Sequence, residues 1–396
     1  MKITKIETLC LTRMHEPERQ WVTAAIRAIK ADGAVVVIHT DDGITGIGEA
    51  CAYGVPDRIK DWVSFLSPLL VGADPLDPAI APVPHYRNSS YDCAVAGIDC
   101  ALWDIRGKAS GKRVCDLLVK AGLSNGPALS KVRLYASSGC RYDWRVNPHQ
   151  LIDEALSYIE QGYTAMKLRL GTEWTSDDVT PERFIGLMRE LTRAVRATGK
   201  TFDLAVDGNQ RLDEAQAMQI APVLDELGFA WFEEPIPQVQ IDGYARIAAS
   251  VEMPITGGEQ FTTLEQFRPY LERKAYDIVQ PDMGWCGLSE GLRIAQYAER
   301  FGVRVMPHSW HNGLMLMANA HYVAALPRPY MCEICMIQGP LLMGMLKAAP
   351  TILAGVLELA DVPGLGVDLA DDLEATFPYI SGTWALPVQR TDAILR

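Results

Sequence analysis

Five acidic or imidazole residues recur at nearly even spacing in the second half of the chain, each at the end of an apolar run. They are Asp207, Glu233, Glu259, Asp282 and His308, and the steps between them are 23 or 26 residues. One β-strand, one helix and their loops take about that many residues in a (β/α)₈ barrel of about 250 residues. Because polar groups that end the strands of such a barrel share one rim, the spacing predicts that these side chains meet.

From Val132 onward, short apolar runs alternate with longer amphipathic segments. The pattern predicts eight barrel strands, near residues 132–137, 164–170, 202–208, 229–234, 254–259, 276–281, 303–307 and 330–335. It predicts intervening helices near residues 148–161, 181–197, 212–227, 242–250, 263–273, 287–301 and 312–325. Strand–helix alternation repeated at one period indicates a parallel α/β sheet that closes into a barrel.

The residues before the barrel follow a different pattern. Residues 1 to about 50 are predicted to form strands, with Asp42-Gly43 as a hairpin turn, and residues 57–118 are mostly helical. The segment SNGPALS (124–130) predicts a junction. We therefore expect an α+β domain at 1–128, a barrel at 129–340 and a C-terminal segment at 341–396 that packs back on the first domain.

Composition narrows the classes of partner. The formal net charge is −12 and no block of Lys or Arg stands out, so we expect neither nucleic acid nor an anionic membrane as a partner. No apolar stretch has the 18 or so residues of a membrane helix, and the first residues do not have the pattern of a signal peptide. Nine scattered cysteines are typical of reduced thiols, which predicts a cytoplasmic protein.

Cys332 and Cys335 form a C-x-x-C pair that could indicate a metal or redox site. The flanking residues predict a strand, and residues three apart on a strand point to opposite faces. No second Cys pair completes a zinc site. We interpret the two residues as ordinary buried thiols.

Asp207, Glu233 and Glu259 together predict a metal site. Three carboxylates cannot converge unpaired, and oxygen ligands from three strands suit Mg²⁺ better than zinc. Taken singly, each acidic residue would be interpreted as a helix cap or a solvated charge. The spacing leaves open whether Glu233 or Glu234 faces the metal, and it predicts that Glu234 and Gln260 point elsewhere.

Asp282 and His308 end adjacent strands. A carboxylate there can accept a hydrogen bond from one imidazole nitrogen and leave the other nitrogen as a base. The competing interpretation is a buried structural histidine, which we adopt for His321 because it lies within a helical pattern. Trp310 and His311 follow in HSWHN and are expected to contact substrate.

Lys167 and Arg169 share one face of the second strand, since residues two apart on a strand point the same way. Lys167 can contact a substrate carboxylate, and Arg169 can hold an anion but is an unlikely base because its pKa exceeds 12. Glu333 on the eighth strand is expected to point inward and to donate a hydrogen bond if nearby anions keep it protonated. The alternative is that the two cations only cover loops and balance charge.

A metal ion, cationic groups and a His–Asp pair fit one task, which is removal of the proton beside a bound carboxylate. The chain resembles the mandelate racemase/muconate lactonizing enzyme family of the enolase superfamily. The motifs that carry this resemblance are AVAGIDCALWDIRGKASGK (94–112), KLR (167–169), VDGN (206–209), FEEP (232–235), GGE (257–259), QPD (280–282) and PH (307–308).

The resemblance implies a modified TIM barrel, (β/α)₇β, with an N-terminal α+β capping domain that the C-terminal tail completes. It implies Mg²⁺ on Asp207, Glu233 and Glu259, and it favours Glu233 over Glu234. It also assigns catalytic positions to His308, Asp282 and Glu333, and it leads us to expect symmetrical assemblies of identical subunits.

Arg169 departs from the family pattern, in which a second lysine usually provides a base opposite the histidine. Racemisation needs proton transfer on both faces of the carbon, whereas dehydration needs one base. We therefore expect Mg²⁺-dependent dehydration of an aldonate or aldarate to a 2-keto-3-deoxy acid. The alternatives are a racemase, epimerase or lactone cycloisomerase that uses the same enediolate, and an inactive barrel that serves as a binding protein.

The substrate is expected to be a small-molecule carboxylate held between the barrel and the cap. The segments that we expect to determine specificity are the loop from His15 to Trp21, the loop near Tyr53, and Trp310 to Asn312. Asn209 in the VDGN motif is included among the substrate-binding residues.

Overall fold

The computed structural model describes residues 1–22, 26–80, 82–85, 88–140, 147–170, 180–337 and 339–387. The N-terminal part is an α+β cap. Its elements in chain order are β1 (Ile3–Met14), β2 (Trp21–Val22), β3 (Ile26–Ala28), β4 (Lys30–Thr40), β5 (Thr45–Ala50), α1 (Pro56–Leu70), α2 (Ser89–Ser110) and α3 (Val114–Lys120). Strands β1, β4 and β5 form an antiparallel sheet with β4 in the centre. The hairpin predicted at Asp42-Gly43 joins β4 to β5, and Gly43 has a φ of 86° there.

Strand β4 is buried on both faces, which explains its continuous apolar run. Val36 and Ile38 pack into the core between the sheet and helices α1 and α2. Val35 and Val37 point the other way and join the core that extends into the barrel. Such a two-sided strand shows no alternation of polar and apolar residues, because neither face meets water.

The barrel begins at β6 and ends at β13, with a helix after each of the first seven strands. Its strands are β6 (Lys131–Ser137), β7 (Ala165–Arg169), β8 (Asp203–Asp207), β9 (Trp231–Glu233), β10 (Ile255–Gly257), β11 (Ile278–Val279), β12 (Arg304–Val305) and β13 (Cys332–Cys335). Its helices are α4 (Gln150–Glu160), α5 (Pro181–Ala197), α6 (Glu214–Glu226), α7 (Ile241–Ala248), α8 (Leu264–Glu272), α9 (Met283–Glu299) and α10 (Gly313–Ala325). Strands β6 to β12 pair in parallel in chain order, and β13 pairs with β6.

This order confirms the (β/α)₇β prediction, and most of the predicted elements agree with the observed ones to within three residues at each end. The largest difference is at α9, which begins at Met283 rather than near residue 287. The Asp282 side chain caps this helix by accepting a hydrogen bond from the Gly284 N–H, and Gly287 interrupts it with a φ of 77°. A glycine with positive φ is a normal sign of a break, so the sequence pattern placed the start after the break.

Strand register places three of the predicted site residues in one row. Arg169 on β7 pairs with Asp207 on β8, and Asp207 pairs with Glu233 on β9. Neighbouring strands lie about 4.8 Å apart, so side chains in one row are in contact range. The even spacing in the sequence therefore corresponds to an aligned set of strand ends.

The chain after the barrel contacts both the barrel and the cap. It forms α11 (Leu341–Gly344), β14 (Ile352–Leu353), β15 (Val356–Glu358), α12 (Leu373–Thr376) and β16 (Ala385–Pro387). Strand β15 pairs with the first residues of β6, and β16 pairs with β3 of the cap. The Lys30 ammonium donates to the Ile380 carbonyl at 2.6 Å, which holds the segment against the cap. Residues 388–396 of the proposed C-terminal segment lie outside the described residues.

The cysteine interpretation agrees with the structure. Cys332 packs in the main barrel core, whereas Cys335 lies on the other face of β13 beside Trp21 and Trp310. All nine cysteines are buried free thiols. Within the described residues, no helix combines the length and the apolar character that crossing a membrane would need.

The contact between β5 and α2 leads to a prediction about stability. A Cβ atom on Gly48 would lie 2.2 Å from the Gly97 carbonyl oxygen and 2.7 Å from the Ala101 nitrogen, both backbone atoms of α2. Overpacking of this kind typically costs about 1–3 kcal/mol, so we expect Gly48→Ala to lower the urea midpoint measured by circular dichroism.

The matched control is Gly186→Ala, since Gly186 is an exposed residue of α5 with nothing within 4 Å of an added Cβ. Replacing a helical glycine by alanine stabilises by roughly 0.5–1 kcal/mol. If the two variants shift the midpoint equally, the close β5–α2 contact does not exist in solution.

Candidate active site

Three carboxylates converge where β8, β9 and β10 end. Asp207 and Glu233 are the last residues of their strands, and Glu259 follows β10. One oxygen of each lies within 4.8 Å of the others, and Asp207 and Glu233 are almost fully buried. Burial, together with mutual repulsion, raises the pKa of all three carboxyl groups. Such a group of oxygen ligands can hold a hard divalent cation, and a cation would relieve the repulsion.

The structure resolves the choice between Glu233 and Glu234. Glu233 faces the other two carboxylates and accepts hydrogen bonds from Gln280 at 2.6 Å and from the Trp231 indole at 3.2 Å. Glu234 turns away, with a φ of 37°, and accepts from Gln210 at 2.9 Å and from Gln238 at 3.1 Å. The prediction that Glu234 points elsewhere is therefore confirmed.

Asn209 orients Asp207 from the loop after β8. Its backbone N–H donates to Asp207 Oδ1 at 2.8 Å, and its side-chain amide donates to Oδ2 at 2.9 Å. Asn209 has a φ of 42°, in the left-handed region that asparagine tolerates better than most residues. The VDGN motif thus forms a short turn that fixes the direction of the carboxylate.

Lys167 is the charged centre beneath the carboxylates. Its ammonium lies 2.5 Å from Glu233, 3.0 Å from Glu333 and 3.8 Å from Asp207, and the side chain is fully buried. Burial alone would lower the pKa of Lys167, but the three carboxylates outweigh it and raise the pKa. The sequence suggested direct contact between Lys167 and substrate. In the structure its ammonium is instead occupied by carboxylates.

Glu333 points inward, as predicted, and lies beside the Lys167 ammonium. Its Oε2 accepts a hydrogen bond from the Ser309 N–H at 2.8 Å, and its Oε1 lies 3.0 Å from the Lys167 ammonium. Burial by itself would raise the pKa of Glu333, but Lys167 and His308 outweigh it and lower the pKa. The lowered pKa favours an acceptor over the donor that was expected if nearby anions kept Glu333 protonated.

Arg169 lies beside the carboxylates with its guanidinium held in place. The Arg169 Cζ lies 3.9 Å from the centre of the Trp310 ring, and Nη1 donates to the Ser138 carbonyl at 3.0 Å. Its Nε is 3.8 Å from Asp207 Oδ2. Burial would lower the pKa of Arg169, but surrounding groups, among them Asp207 and Glu333, raise it. The residue is positioned as a permanent cation.

His308 and Asp282 form the predicted pair. The His308 Nδ1 lies 2.7 Å from Asp282 Oδ2, while the other Asp282 oxygen accepts from the Gly284 N–H and from Asn319. The free Nε2 is directed towards Glu259, at 3.6 Å. Burial would lower the pKa of His308, but Glu259, Glu333 and Asp282 raise it to about 10.

A cavity of about 270 Å³ lies beside these groups, and Arg169, Glu259 and His308 line it. Seven of its lining residues come from the barrel: Arg169, Asn209, Arg211, Glu259, Gln260, His308 and Trp310. Four come from the cap and the C-terminal segment: Trp21, Ile26, Tyr53 and Trp384. The volume is near the lower end of small-molecule sites, which suits a compact ligand.

Several lining residues were not predicted. Gln260 was expected to point elsewhere, but it faces the cavity because the chain turns at Gly258, which has a φ of 97°. Arg211 follows the VDGN motif by two residues, a signal that could have been used. Ile26 and Trp384 reach the cavity only because β16 pairs with β3, and nothing in the local sequence indicates that pairing.

His311 was expected to contact substrate, but the structure places it one layer behind the cavity. Its ring packs on Tyr53 at 4.3 Å, and its Nε2 lies 3.4 Å from the Cys51 thiol. It lines a smaller cavity of about 10 Å³ beside Lys30 and Asp32. Burial lowers the pKa of His311 to about 4. It therefore belongs to the contact between cap and barrel.

Comparison with known families covers most of the chain. Residues 6–119 match the model of the mandelate racemase/muconate lactonizing enzyme N-terminal domain, and residues 150–373 match that of the enolase C-terminal domain-like family.

Characterised relatives and solved structures agree with these matches. The arabinonate dehydratase of Saccharolobus solfataricus is 32% identical over 84% of this chain and 87% of its own length. The D-galactarolactone cycloisomerase of Agrobacterium fabrum is 30% identical over 95% and 99%. The crystal structure of the 3,6-anhydro-D-galactonate cycloisomerase from Zobellia galactanivorans superposes with a TM-score of 0.81 at 28% identity, over 96% and 100% of the two chains. The chain is therefore an enzyme of the mandelate racemase/muconate lactonizing enzyme family, within the enolase superfamily.

Proposed function

We propose that this enzyme is a Mg²⁺-dependent hydro-lyase that dehydrates a sugar acid to a 2-keto-3-deoxy acid. The names of the relatives support sugar-acid dehydration or cycloisomerisation, since they include arabinonate, galactonate and talarate/galactarate dehydratases as well as cycloisomerases. The substrate is a small molecule with a carboxylate, in keeping with the size and the cationic groups of the cavity.

The observation that carries the proposal is the position of the His308 imidazole. Asp282 binds Nδ1, so Nε2 is the nitrogen that remains to act as a base, and it lies at the cavity 3.6 Å from Glu259 of the triad. A sugar acid whose carboxylate end lies at the cluster therefore presents its adjoining carbon to a base. Among the described residues that line the cavity, His308 is the one imidazole.

The reaction balances with this one base. Nε2 takes the proton from carbon 2, and the electron pair left there spreads into the substrate carboxylate as an enediolate. That electron pair then forms a double bond between carbons 2 and 3 as the hydroxyl on carbon 3 departs. The imidazolium returns its proton to that hydroxyl, which leaves as water. The resulting enol tautomerises to the 2-keto-3-deoxy acid, so no oxidant or further reactant is needed.

The donor set at Asp207, Glu233 and Glu259 fits Mg²⁺. All three ligands are carboxylate oxygens, which is the chemistry that Mg²⁺ prefers, and among the described residues no thiol or imidazole belongs to the group. When bound, the cation supplies positive charge that stabilises the negative charge developing on the substrate carboxylate and offsets the effect of Glu259 on the His308 imidazole. Asn209 and Lys167 hold two of the ligands in position.

Arg169 favours dehydration over racemisation. Racemisation requires a second proton-transfer group on the face opposite His308, and a guanidinium is a poor base because its pKa exceeds 12. Arg169 is also committed to Trp310 and Ser138. Arg169 contributes by binding a negatively charged group of the substrate beside the triad.

Cycloisomerisation is a second candidate, because two of the similar proteins are cycloisomerases. It would begin with the same proton removal at His308, but the leaving group would be a ring oxygen of the substrate. The two reactions share the base. They differ in which carbon–oxygen bond breaks next to the deprotonated carbon.

We expect Glu233→Gln to weaken Mg²⁺ binding by at least about tenfold, because even groups that only support a metal ligand contribute 10–100-fold. The measurement is isothermal titration of chelator-treated protein with MgCl₂. Glu234→Gln is the matched control, since the Glu234 side chain turns away from the triad. Equal loss in both variants, or no loss in Glu233→Gln, would contradict the assignment of the triad.

We expect His308→Asn to lower kcat by about 10²–10⁴-fold, the usual contribution of a general base. The assay is formation of a keto acid from a panel of aldonates and aldarates, detected with semicarbazide. His149→Asn is the control, because His149 is an exposed histidine that pairs with Glu190 on the surface. Keto acid formed from sugar-acid lactones but not from the open-chain acids would establish cycloisomerisation, and full activity of His308→Asn would remove the proposed base.

A further inference from the structure

The two sides of the candidate cavity differ in chemistry. The barrel side carries its charged groups, which are Arg169, Arg211, Glu259 and His308. The side formed by the cap and the C-terminal segment consists of three aromatic residues and Ile26. Among the described residues on that side, none that lines the cavity is charged. We call Trp21, Tyr53 and Trp384 the aromatic wall.

Trp384 is held in the wall by the backbone and by ring contacts. Its carbonyl accepts a hydrogen bond from the Ile29 N–H at 2.9 Å, where β16 runs beside β3. Its ring stacks on the Tyr53 ring, with 5.0 Å between ring centres and 27° between ring planes. The centre of the Trp21 ring lies 6.0 Å away. A Cβ atom on Gly54 would come within 2.2 Å of the Trp384 ring, so glycine is required for the ring to reach the wall.

Two charged residues of the cap, Lys30 and Asp32, lie behind the aromatic wall and are paired with each other. The Lys30 ammonium is 3.2 Å from Asp32 Oδ1, and both side chains are almost fully buried. Lys30 also donates to the Ile380 carbonyl, and Asp32 accepts from Thr12 at 2.7 Å. These residues line the smaller cavity, from which the wall separates the larger one. A ligand in the larger cavity therefore meets rings on this side.

Aromatic rings and carboxylates are poorly matched partners. A ring face accommodates the C–H face of a sugar, whereas a buried carboxylate without a cation or donor loses hydration that nothing replaces. A substrate whose reacting end lies at the triad directs its far end towards the cap. Binding is therefore favoured if the far end of the substrate is uncharged.

Building on the proposed function, we propose that Trp384 is a specificity-determining residue and that the enzyme prefers monocarboxylic sugar acids over dicarboxylic ones. The aromatic wall contacts the uncharged end of an aldonate. The second carboxylate of an aldarate would face the same rings at the cost of its hydration.

The experiment compares matched pairs of acids, galactonate with galactarate and gluconate with glucarate, in the full-length protein with Mg²⁺. We expect the favoured monoacid to exceed its diacid in kcat/KM by about tenfold or more. Trp384→Ala is expected to lower kcat/KM for the monoacid by about tenfold, which corresponds to roughly 1.4 kcal/mol of lost ring contact, mainly through KM. Trp384→Phe should restore most of it, and Phe65→Ala on the exposed face of α1 should change nothing.

Gly54→Ala provides a second route to the same result, because its added Cβ displaces the Trp384 ring without removing it. Binding of galactonate and galactarate to the His308→Asn variant, measured by calorimetry, does not depend on turnover. If no acid is dehydrated, the proposed function fails. If galactonate nevertheless binds more tightly than galactarate and Trp384→Ala weakens galactonate binding, the role of Trp384 in specificity is supported independently of the reaction. Preference for the diacid, no effect of Trp384→Ala, or no binding of either acid would overturn the inference.

Discussion

The Lys167 ammonium, buried among carboxylates, is the interaction on which the site depends. It contacts Glu233 on β9, Glu333 on β13 and, more distantly, Asp207 on β8, so one side chain of β7 links four strand ends. Removing one partner from a buried ion pair typically costs 3–5 kcal/mol, because the remaining charge keeps its desolvation penalty. The network therefore fixes the strand ends in the register that places the metal-binding oxygens together.

The seam between cap and barrel is held by a second set of buried polar contacts. Glu49, at the end of β5, accepts from the Asn312 side chain at 2.7 Å and from the Met315 N–H at 2.9 Å. The Cys51 N–H donates to the Gly284 carbonyl, next to Asp282. The strand that supplies Tyr53 to the aromatic wall is thus attached to the loops that supply Asp282 and His308. These contacts hold the cap, and with it Tyr53 of the aromatic wall, against the barrel.

The sequence predicted the parts of the structure that repeat. Strand ends of a parallel barrel recur at one period, so Asp207, Glu233, Glu259, Asp282 and His308 could be assigned to one rim from spacing alone. Two side chains lie elsewhere than predicted, because the turn after each strand decides which way the next residue points. Gln260 lines the larger cavity, and His311 lies behind it. Trp384 was not predicted, because its place follows from a pairing between residues more than 350 positions apart.

The division of the site into two sides explains how one barrel chemistry can serve several substrates. In the proposed reaction, proton removal depends on the triad, Lys167 and the His308–Asp282 pair, all of which come from the barrel strands and the loops that follow them. The far end of the substrate meets residues from the cap and from the C-terminal segment, which the barrel register does not constrain. Changes at Trp384 or Tyr53 can therefore alter which acid fits while leaving the position of the base unchanged.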